Sequence, residues 1–173
     1  MNEALQNLLT RRSCRKYKPD QVKDEDLNAI LEAGTYAPTG RGTQSPLILA
    51  VTTPENVALV ERLNAGVMGN PNGHPFYGAP AVVVVFADGD SPMGVSDANL
   101  VMGNLLNAAH ALGVDSCYIW RAKEAFATPE GEALKAKWGI GDSFVGIGNC
   151  ILGYREGDLP QAPERKPGRI VRI

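Results

Sequence analysis

An uninterrupted apolar run, Ala81 to Ala87 (AVVVVFA), constrains the fold of this 173-residue chain more than any other feature. A strand with one solvated face would alternate apolar and polar residues, so this run predicts a central strand covered on both faces. The whole apolar stretch, Ala79 to Ala87, is much shorter than the roughly 20 residues that span a bilayer. We therefore expect a globular protein, without a membrane segment, built around a buried sheet.

Apolar spacing and turn residues divide the rest of the chain into short elements. Pro54 suits the first turn of a helix, and Asp24 is expected to cap the start of another. Strands and helices do not alternate regularly, which predicts an α+β fold with helices on a mixed, mostly antiparallel sheet. No shift in composition marks a boundary, so we expect a single domain over residues 1–173. The predicted helices are 3–12, 24–34, 54–65, 95–112 and 129–138, and the predicted strands are 47–52, 81–87, 117–120 and 144–153.

The predicted helix from Val95 to Leu112 carries apolar residues around almost its whole circumference. Such a helix is buried either in a large core or by another subunit. Because this chain is short, the second option carries weight, and it would place Val101 and Leu105 at an interface between two copies. The stretch 66–78, rich in glycine and asparagine, is expected to be a mobile loop.

Basic residues are concentrated at the two ends of a chain whose formal net charge is −2. The basic segment, residues 11–18, holds five cations and residues 165–172 hold four, together nine of the 17 in the chain. Nucleic-acid-binding domains usually have a pI above about 9, whereas this sequence has a pI near 5.7. Arginines interleaved with Ser13 suit a phosphate, because guanidinium groups bind oxyanions bidentately. A local anion site is therefore predicted rather than a nucleic-acid surface; solvated chain ends are the alternative.

The usual catalytic motifs are absent from the sequence. It has no phosphate-binding loop of the GxxxxGK type, no GxSxG, and only two histidines, neither in a metal-binding spacing. Three cysteines without a CxxC pair indicate neither a disulfide framework nor a zinc site. Cys14, flanked by arginines, would have a lowered pKa if it were exposed. A phosphate site without acid–base residues favours a bound cofactor that carries the chemistry. The polar N-terminus resembles no secretory signal, so a cytoplasmic location is expected.

Six motifs, in order from about residue 5 to 170, resemble the flavin-dependent nitroreductase family. They are Arg11-x-Ser13-x-Arg15, the Ala37–Gly40 loop ending in Gln44, Phe76–Pro80, Ala108–Cys117, Gly146–Tyr154 and Arg165-Lys166. The resemblance implies an α+β homodimer with an extended C-terminal tail and two FMN molecules at the subunit interface. It also implies electron transfer from NADH or NADPH to a small acceptor such as a quinone or a nitroaromatic, with no nucleic acid, membrane or metal involved.

The resemblance assigns a first group of residues to the phosphate and ribityl chain of FMN. Arg12 falls where the family reaches the pyrimidine side of the flavin through its backbone. The two ends of the chain would meet around the phosphate, which explains why two basic clusters coexist. The residues assigned to the phosphate and ribityl contacts are Arg11, Ser13, Arg15, Arg165 and Lys166.

A second group is assigned to the flavin ring. The loop from Pro38 to Gly40 would come from the second subunit, and the backbone N–H groups of Trp120 or Arg121 would point at the flavin N5 atom. Donors fixed on the backbone need little reorganisation during hydride transfer. The residues assigned to the ring are Pro38, Thr39, Gly40, Gln44, Asn72, Ile119, Trp120 and Arg121.

No side chain is expected to act as an acid or base, since the flavin would carry the chemistry in a ping-pong cycle. A non-catalytic flavin- or nucleotide-binding regulatory module is the alternative. Two departures from the family matter. Ser45-Pro46 replaces the usual proline followed by an aromatic residue, which is expected to change the packing below the ring. A longer lid, which in the family shapes the substrate pocket together with the 66–78 loop, is missing. The identity of the acceptor is therefore the least transferable property.

Overall fold

The computed structural model describes all 173 residues. Each predicted helix and strand is present, with ends shifted by a few residues, and one additional helix, α5, follows β3. The cap of α2 was predicted wrongly: Lys23 is the capping residue, and Asp24 lies in the first turn. No helix is both long and apolar enough to cross a membrane. The helices are α1 (Glu3–Thr10), α2 (Asp24–Thr35), α3 (Pro54–Val67), α4 (Gly94–Ala111), α5 (Ala122–Phe126) and α6 (Pro129–Lys137), and the strands are β1 (Leu47–Val51), β2 (Ala81–Asp88), β3 (Asp115–Ile119) and β4 (Phe144–Gly153).

The four strands form one sheet in the order β1-β2-β4-β3, and every neighbouring pair is antiparallel. β2 is central, and Val82 to Phe86 are completely inaccessible to solvent. The α+β class is therefore confirmed. A mixed, mostly antiparallel sheet was expected, and the four strands are all antiparallel. The parallel pairing is limited to an isolated bridge between Ser13 and Ser116.

Two apolar layers cover the two faces of the sheet, because alternate residues of β2 point in opposite directions. Val83 and Val85 pack in a cluster with residues of α2 and α4. Val82, Val84 and Phe86 pack in a second cluster that includes residues of α3 and α5. Burial on both faces accounts for the absence of polar residues within the valine run.

α4 is buried by its own chain. Val101 is 4% exposed and Leu105 is 0% exposed, and both belong to the cluster formed with α2 and the sheet. The expectation that these two residues lie at a subunit interface is wrong, since the sheet and α2 already cover them. The large apolar side chains of α4 that remain exposed are Val95 and Leu100.

The basic segment runs along the edge of the sheet and is fixed to it by backbone hydrogen bonds. The Cys14 N–H donates to the Ser116 carbonyl of β3 at 2.9 Å, and the Lys18 N–H donates to the Tyr154 carbonyl after β4 at 2.8 Å. An isolated bridge also pairs Tyr17 with Arg155. These contacts give the arginines of the segment a defined position relative to the sheet.

An ion pair between Asp115 and Arg155 lies beside the basic segment. Asp115, at the start of β3, accepts from Arg155 Nη1 at 2.9 and 3.1 Å and from the Arg155 backbone N–H at 3.1 Å. The carboxylate is buried, whereas the guanidinium is partly exposed. One guanidinium nitrogen contacts both carboxylate oxygens, and together with the backbone donor it satisfies the charge that burial would otherwise leave uncompensated.

Candidate functional site

A cavity of about 630 Å³ lies between the basic segment and the C-terminal tail. Its walls combine three residues that the resemblance assigned to the phosphate and ribityl chain, Arg11, Ser13 and Arg15, with Arg12 of the same segment and with Arg165 from the opposite end of the chain. The two termini therefore meet at one cavity, as expected. The lining residues are Leu8, Leu9, Arg11, Arg12, Ser13, Arg15, Pro160, Gln161, Ala162, Pro163 and Arg165.

The arginines at this cavity differ in what their side chains contact. Arg12 Nη1 donates to the carbonyls of Leu9 and Arg11, at 2.9 and 2.7 Å, so that this guanidinium holds the end of α1. Arg11 Nη1 is buried and has no hydrogen-bond partner. An unpartnered buried guanidinium nitrogen is costly unless an acceptor reaches it. Several guanidinium groups beside the Ser13 hydroxyl are the donors that suit a phosphate dianion.

His110 and Thr10 connect the C-terminal half of α4 to α1, next to the basic segment. Thr10 Oγ1 donates to the Gln6 carbonyl at 2.8 Å and lies 2.8 Å from His110 Nε2. Because the hydroxyl hydrogen is already used, His110 Nε2 carries the hydrogen of the second bond. Burial lowers the pKa of His110, and the positive charge of Arg11 lowers it further. These contacts give His110 a structural role between α4 and α1.

Cys14 is not an activated thiol. The sequence predicts a lowered pKa only if Cys14 is exposed, and it is not exposed. Its side chain is buried, and its Sγ donates to the Lys16 carbonyl at 3.2 Å. Burial raises the pKa of Cys14, which outweighs the lowering by that hydrogen bond and by Arg155. The thiol is therefore protonated at neutral pH and is a poor nucleophile.

The segment assigned to the flavin N5 atom leaves the sheet at the end of β3. Ile119 is the last residue of β3, and Trp120 is 62% exposed. Arg121 adopts a left-handed backbone with φ 76° and places its guanidinium carbon 5.2 Å from the centre of the Trp120 ring. Arg121 also pairs with Glu124 at 3.9 Å. The sharp turn thus presents an aromatic ring and a cation side by side.

Two buried asparagine side chains, Asn149 and Asn64, hold the end of β3 in place through hydrogen bonds. Asn149 Nδ2 of β4 donates to Asn64 Oδ1 of α3 at 3.1 Å and to the Ile119 carbonyl at 3.3 Å. Both asparagines are almost fully buried. Sequence analysis missed this pair, although a polar residue inside the apolar β4 run is an available sequence indication.

The 37–46 loop lies apart from the cavity within one chain. Thr39 and Gln44 line a second cavity of about 280 Å³, together with Ile48 of β1 and Val101 of α4. The Gln44 N–H donates to Thr39 Oγ1 at 3.0 Å. Pro38 and Gly40 belong to the same loop but do not line either cavity. The two predicted halves of the site are therefore in different places on the monomer.

Lys166 and Asn72 also lie outside both cavities, as do Pro38, Gly40 and the turn from Ile119 to Arg121. Lys166 lines a separate depression within the tail, while Arg165 turns back and donates to the Pro163 carbonyl at 3.1 and 2.8 Å. Asn72 is exposed in the 66–78 loop. That loop is fixed at its far end by Glu61 of α3, whose carboxylate accepts from the Phe76 N–H at 2.8 Å.

Comparison with known proteins identifies the family. The sequence model described as "Nitroreductase family" matches residues 8–70. A protein of Archaeoglobus fulgidus that bears the name NADH dehydrogenase/NAD(P)H nitroreductase is 32% identical over 183 aligned positions, which cover 99% of this chain and 98% of the relative. The chain belongs to the nitroreductase family.

Solved structures of other nitroreductases have the same fold along their whole length. A Bacteroides fragilis nitroreductase with bound FMN superposes with a TM-score of 0.90 at 30% identity, covering 100% of both chains. A Desulfitobacterium hafniense nitroreductase with bound FMN superposes with a TM-score of 0.88 at 26% identity, covering 100% of this chain and 99% of the other. The nitroreductase fold is thus present from the first helix to the tail.

Sequence analysis missed part of the wall of the cavity between the basic segment and the tail of this nitroreductase-family chain. The sequence predicts only a helix over residues 3–12 and an extended tail, and neither prediction places Leu8 or the tail prolines at a cavity. The prolines at 160 and 163 are the sequence indication, since proline favours an extended chain that can line a cavity. The missed wall residues are Leu8, Leu9, Pro160, Gln161, Ala162 and Pro163.

Proposed function

We propose that this protein is an FMN-dependent NAD(P)H oxidoreductase, with residues 1–173 acting as one FMN-binding domain. The observation that carries the proposal is the cavity in which Arg11, Ser13 and Arg15 from one terminus meet Arg165 from the other. The nitroreductase structures with bound FMN that share this fold support the choice of cofactor.

The basic segment would hold the FMN phosphate. Arg11 and Arg15 supply positive charge, and Ser13 supplies a hydroxyl donor. Hydrogen bonds from charged donors are about twice as strong as neutral ones, so these contacts would dominate the affinity for the cofactor. Arg12 keeps the segment in shape through its two carbonyl contacts, and its backbone N–H, which donates to no backbone carbonyl, would face the flavin.

The turn after β3 would face the reactive part of the ring. FMN, when bound, supplies the redox chemistry by accepting a hydride from NAD(P)H and passing two electrons to the acceptor. Trp120 and Arg121 contribute backbone N–H donors whose direction is fixed by the left-handed turn at Arg121. Such preorganised donors stabilise developing charge without rearranging during the reaction.

Donor and acceptor would use the same pocket in turn. NAD(P)H would leave as NAD(P)⁺ after losing one hydride, and a quinone would leave as a hydroquinone after gaining the equivalent of that hydride and one further proton from water. The exposed Trp120 ring offers a flat surface on which an aromatic donor or acceptor can stack. The side chains here orient and shield the reactants rather than exchange protons with them.

A second copy of the chain would complete each site. Apolar side chains are exposed on α1, at Leu5, Leu8 and Leu9, and on the neighbouring α4, at Val95 and Leu100. Covering such a surface is the ordinary driving force for obligate dimers. In the proposed homodimer, the loop at Pro38 to Gly40 would reach the flavin of the partner subunit, which accounts for its distance from the phosphate cavity.

Spectroscopy of the purified protein tests the proposal. We expect yellow protein with a flavin absorbance band, and flavin released by heat should be identified as FMN. Anaerobic addition of NADH or NADPH should bleach that band, and a quinone or nitroaromatic should restore it. Protein that is colourless and gains no flavin after incubation with FMN would refute the proposal.

The same experiment distinguishes the non-catalytic alternative. A regulatory module would retain bound flavin that neither nicotinamide reduces. A panel of quinones and nitroaromatics, applied to the reduced enzyme in a stopped-flow instrument, then compares acceptors by their second-order rate constants.

A further inference from the structure

The 37–46 loop has a backbone that needs support. Arg41 and Gln44 have φ values of 57° and 51°, and Gly42 lies between them at 67°. Residues other than glycine in this left-handed region cost free energy and persist only when the surrounding structure holds them. The loop therefore depends on contacts that fix its backbone.

Most of those contacts lie within the loop itself. The Gly42 N–H donates to the Thr39 carbonyl at 3.0 Å, and the Gln44 N–H donates to Thr39 Oγ1 at 3.0 Å. Bonds of this kind define the shape of the loop, but they do not fix its place relative to the rest of the molecule.

The start of α4 supplies the external contact. The Gly40 N–H donates to Asp97 Oδ1 at 3.0 Å, across 57 positions of sequence. Met93, which caps the same helix, packs so closely against Gly40 that a β-carbon at this position would collide with its sulfur. One hydrogen bond and one steric contact thus hold Gly40 against the first turn of α4.

A carboxylate at position 97 lowers the stability of the fold, because it is buried. Asp97 is 4% exposed, and its Oδ2 is buried with no hydrogen-bond partner. The N-terminal turn of α4 offsets part of the charge, but a buried carboxylate oxygen without a donor still costs stability. Packing alone does not require a carboxylate here, since an apolar residue would fill the same space without this cost.

We propose that Asp97 is a positioning residue that fixes the 37–46 loop, through the Gly40 N–H, in the place where it meets the flavin ring. This inference rests on the proposed function, which assigns Pro38, Thr39 and Gly40 to the ring. Asp97 acts through the loop backbone and does not itself touch the cofactor.

Three substitutions test the inference. Asp97→Ala removes the acceptor, and Asp97→Asn keeps a carbonyl oxygen that can accept from Gly40 while removing the charge. Asp24→Ala is the matched control, because it removes an exposed carboxylate from the first turn of α2 without contact to the loop. Thermal unfolding of all three variants identifies any general loss of stability.

Hydrogen exchange in the FMN-free protein gives the first measurement. Peptides that cover residues 38–44 should exchange roughly tenfold or more faster in Asp97→Ala than in the wild type, as expected for loss of a hydrogen bond to a charged group. Asp97→Asn should stay within about threefold of the wild type, since the acceptor is retained. Equal exchange in Asp97→Ala and the wild type, or in the two Asp97 variants, would overturn the inference.

The flavin itself gives the second measurement. With FMN bound, Asp97→Ala should shift the visible absorption band and lower kcat, and Asp97→Asn should restore both, whereas Asp24→Ala should match the wild type. An unchanged band and kcat in Asp97→Ala would overturn the positioning role and leave the proposed function intact. Wild-type protein that binds no FMN would overturn the proposed function instead, and the exchange data would still report on the Gly40 contact.

Discussion

The arginines of the basic segment are close in sequence but differ in role. Arg12 turns back to the carbonyls at the end of α1, and Arg11 is partly buried with one nitrogen unpartnered. Arg15 is exposed at the rim of the cavity. Composition alone predicts an anion site here, but only the fold separates the arginine that shapes the segment from those available to a ligand.

Replacement of Arg15 by alanine should weaken FMN binding by roughly 10- to 100-fold, the effect of removing one hydrogen bond to a charged group. The fold should be unaffected, because the side chain is exposed. Fluorescence titration with FMN measures the dissociation constant. Lys18→Ala, which removes an equal charge from the same segment outside the cavity, is the control; equal affinity in the Arg15 variant and the wild type would show that the phosphate lies elsewhere.

His110 should make the stability of the protein depend on pH. Its pKa in the folded state is lowered by burial and by Arg11, so the unfolded chain takes up a proton at higher pH than the folded chain. The stabilisation is complete above the unfolded pKa of about 6.5 and is lost as the pH falls toward the folded pKa. Urea denaturation from about pH 8 to about pH 5 should show a steeper loss for the wild type than for His110→Gln. Parallel curves would contradict this assignment.

At the scale of elements, the apolar pattern predicted most helices and strands correctly, but it did not predict the short helix α5 or the turn at Gly40–Gly42. The valine run is unbroken and the strand from Phe144 to Gly153 is largely apolar apart from Asn149, as expected for covered strands, and the positions predicted for both agree with the structure. α5 has only five residues, too few for a helical period to show. The turn at Gly40–Gly42 is shaped by hydrogen bonds within its own loop, and its contact with α4 links residues 57 positions apart, which no local pattern indicates.

β4 owes its close contact with β3 to a glycine. A β-carbon on Gly148 would lie 2.6 Å from Cζ of the Tyr118 ring, whose hydroxyl donates to the Ile147 carbonyl at 3.0 Å. Gly148→Ala should therefore reduce the free energy of unfolding by about 1–3 kcal/mol through overpacking.

Denaturant unfolding provides the measurement for Gly148→Ala, with Gly66→Ala as the control. Gly66 lies in α3 with open space around its α-carbon, so alanine there should stabilise by about 0.5–1 kcal/mol. A Gly148 variant as stable as the wild type would mean that Tyr118 can move aside without loss.

At the scale of the whole molecule, sequence analysis predicted that the two termini meet, but it did not predict which of the assigned residues line the cavity. The two termini converge on one cavity, as the basic clusters and the family resemblance indicated. Lys166 lies outside because the tail turns back at Arg165, a local contact with the Pro163 carbonyl. Asp97 and Asn149 were missed because their partners lie far away in sequence, at distances that only the fold determines.

The proposed dimer can be tested at Leu100, which is 48% exposed on α4. Leu100→Glu should yield monomers in analytical ultracentrifugation and release FMN, because a charge at a covered apolar surface opposes association. Ala58→Glu, which adds the same charge to the exposed side of α3, should leave the dimer intact. A Leu100 variant that remains dimeric, or a wild type that sediments as a flavin-loaded monomer, would contradict the arrangement.

The tail has a consequence for the lifetime of the enzyme. Residues 160–163 and Arg165 form one side of the cavity, yet the chain beyond Glu156 is largely exposed and contributes nothing to the two main apolar clusters. Proteases cut such segments readily. Cleavage in the tail would therefore leave the sheet and helices intact but remove one side of the cavity. In the proposed enzyme, the protein would then lose its bound flavin, and with it its yellow colour, while it remains folded.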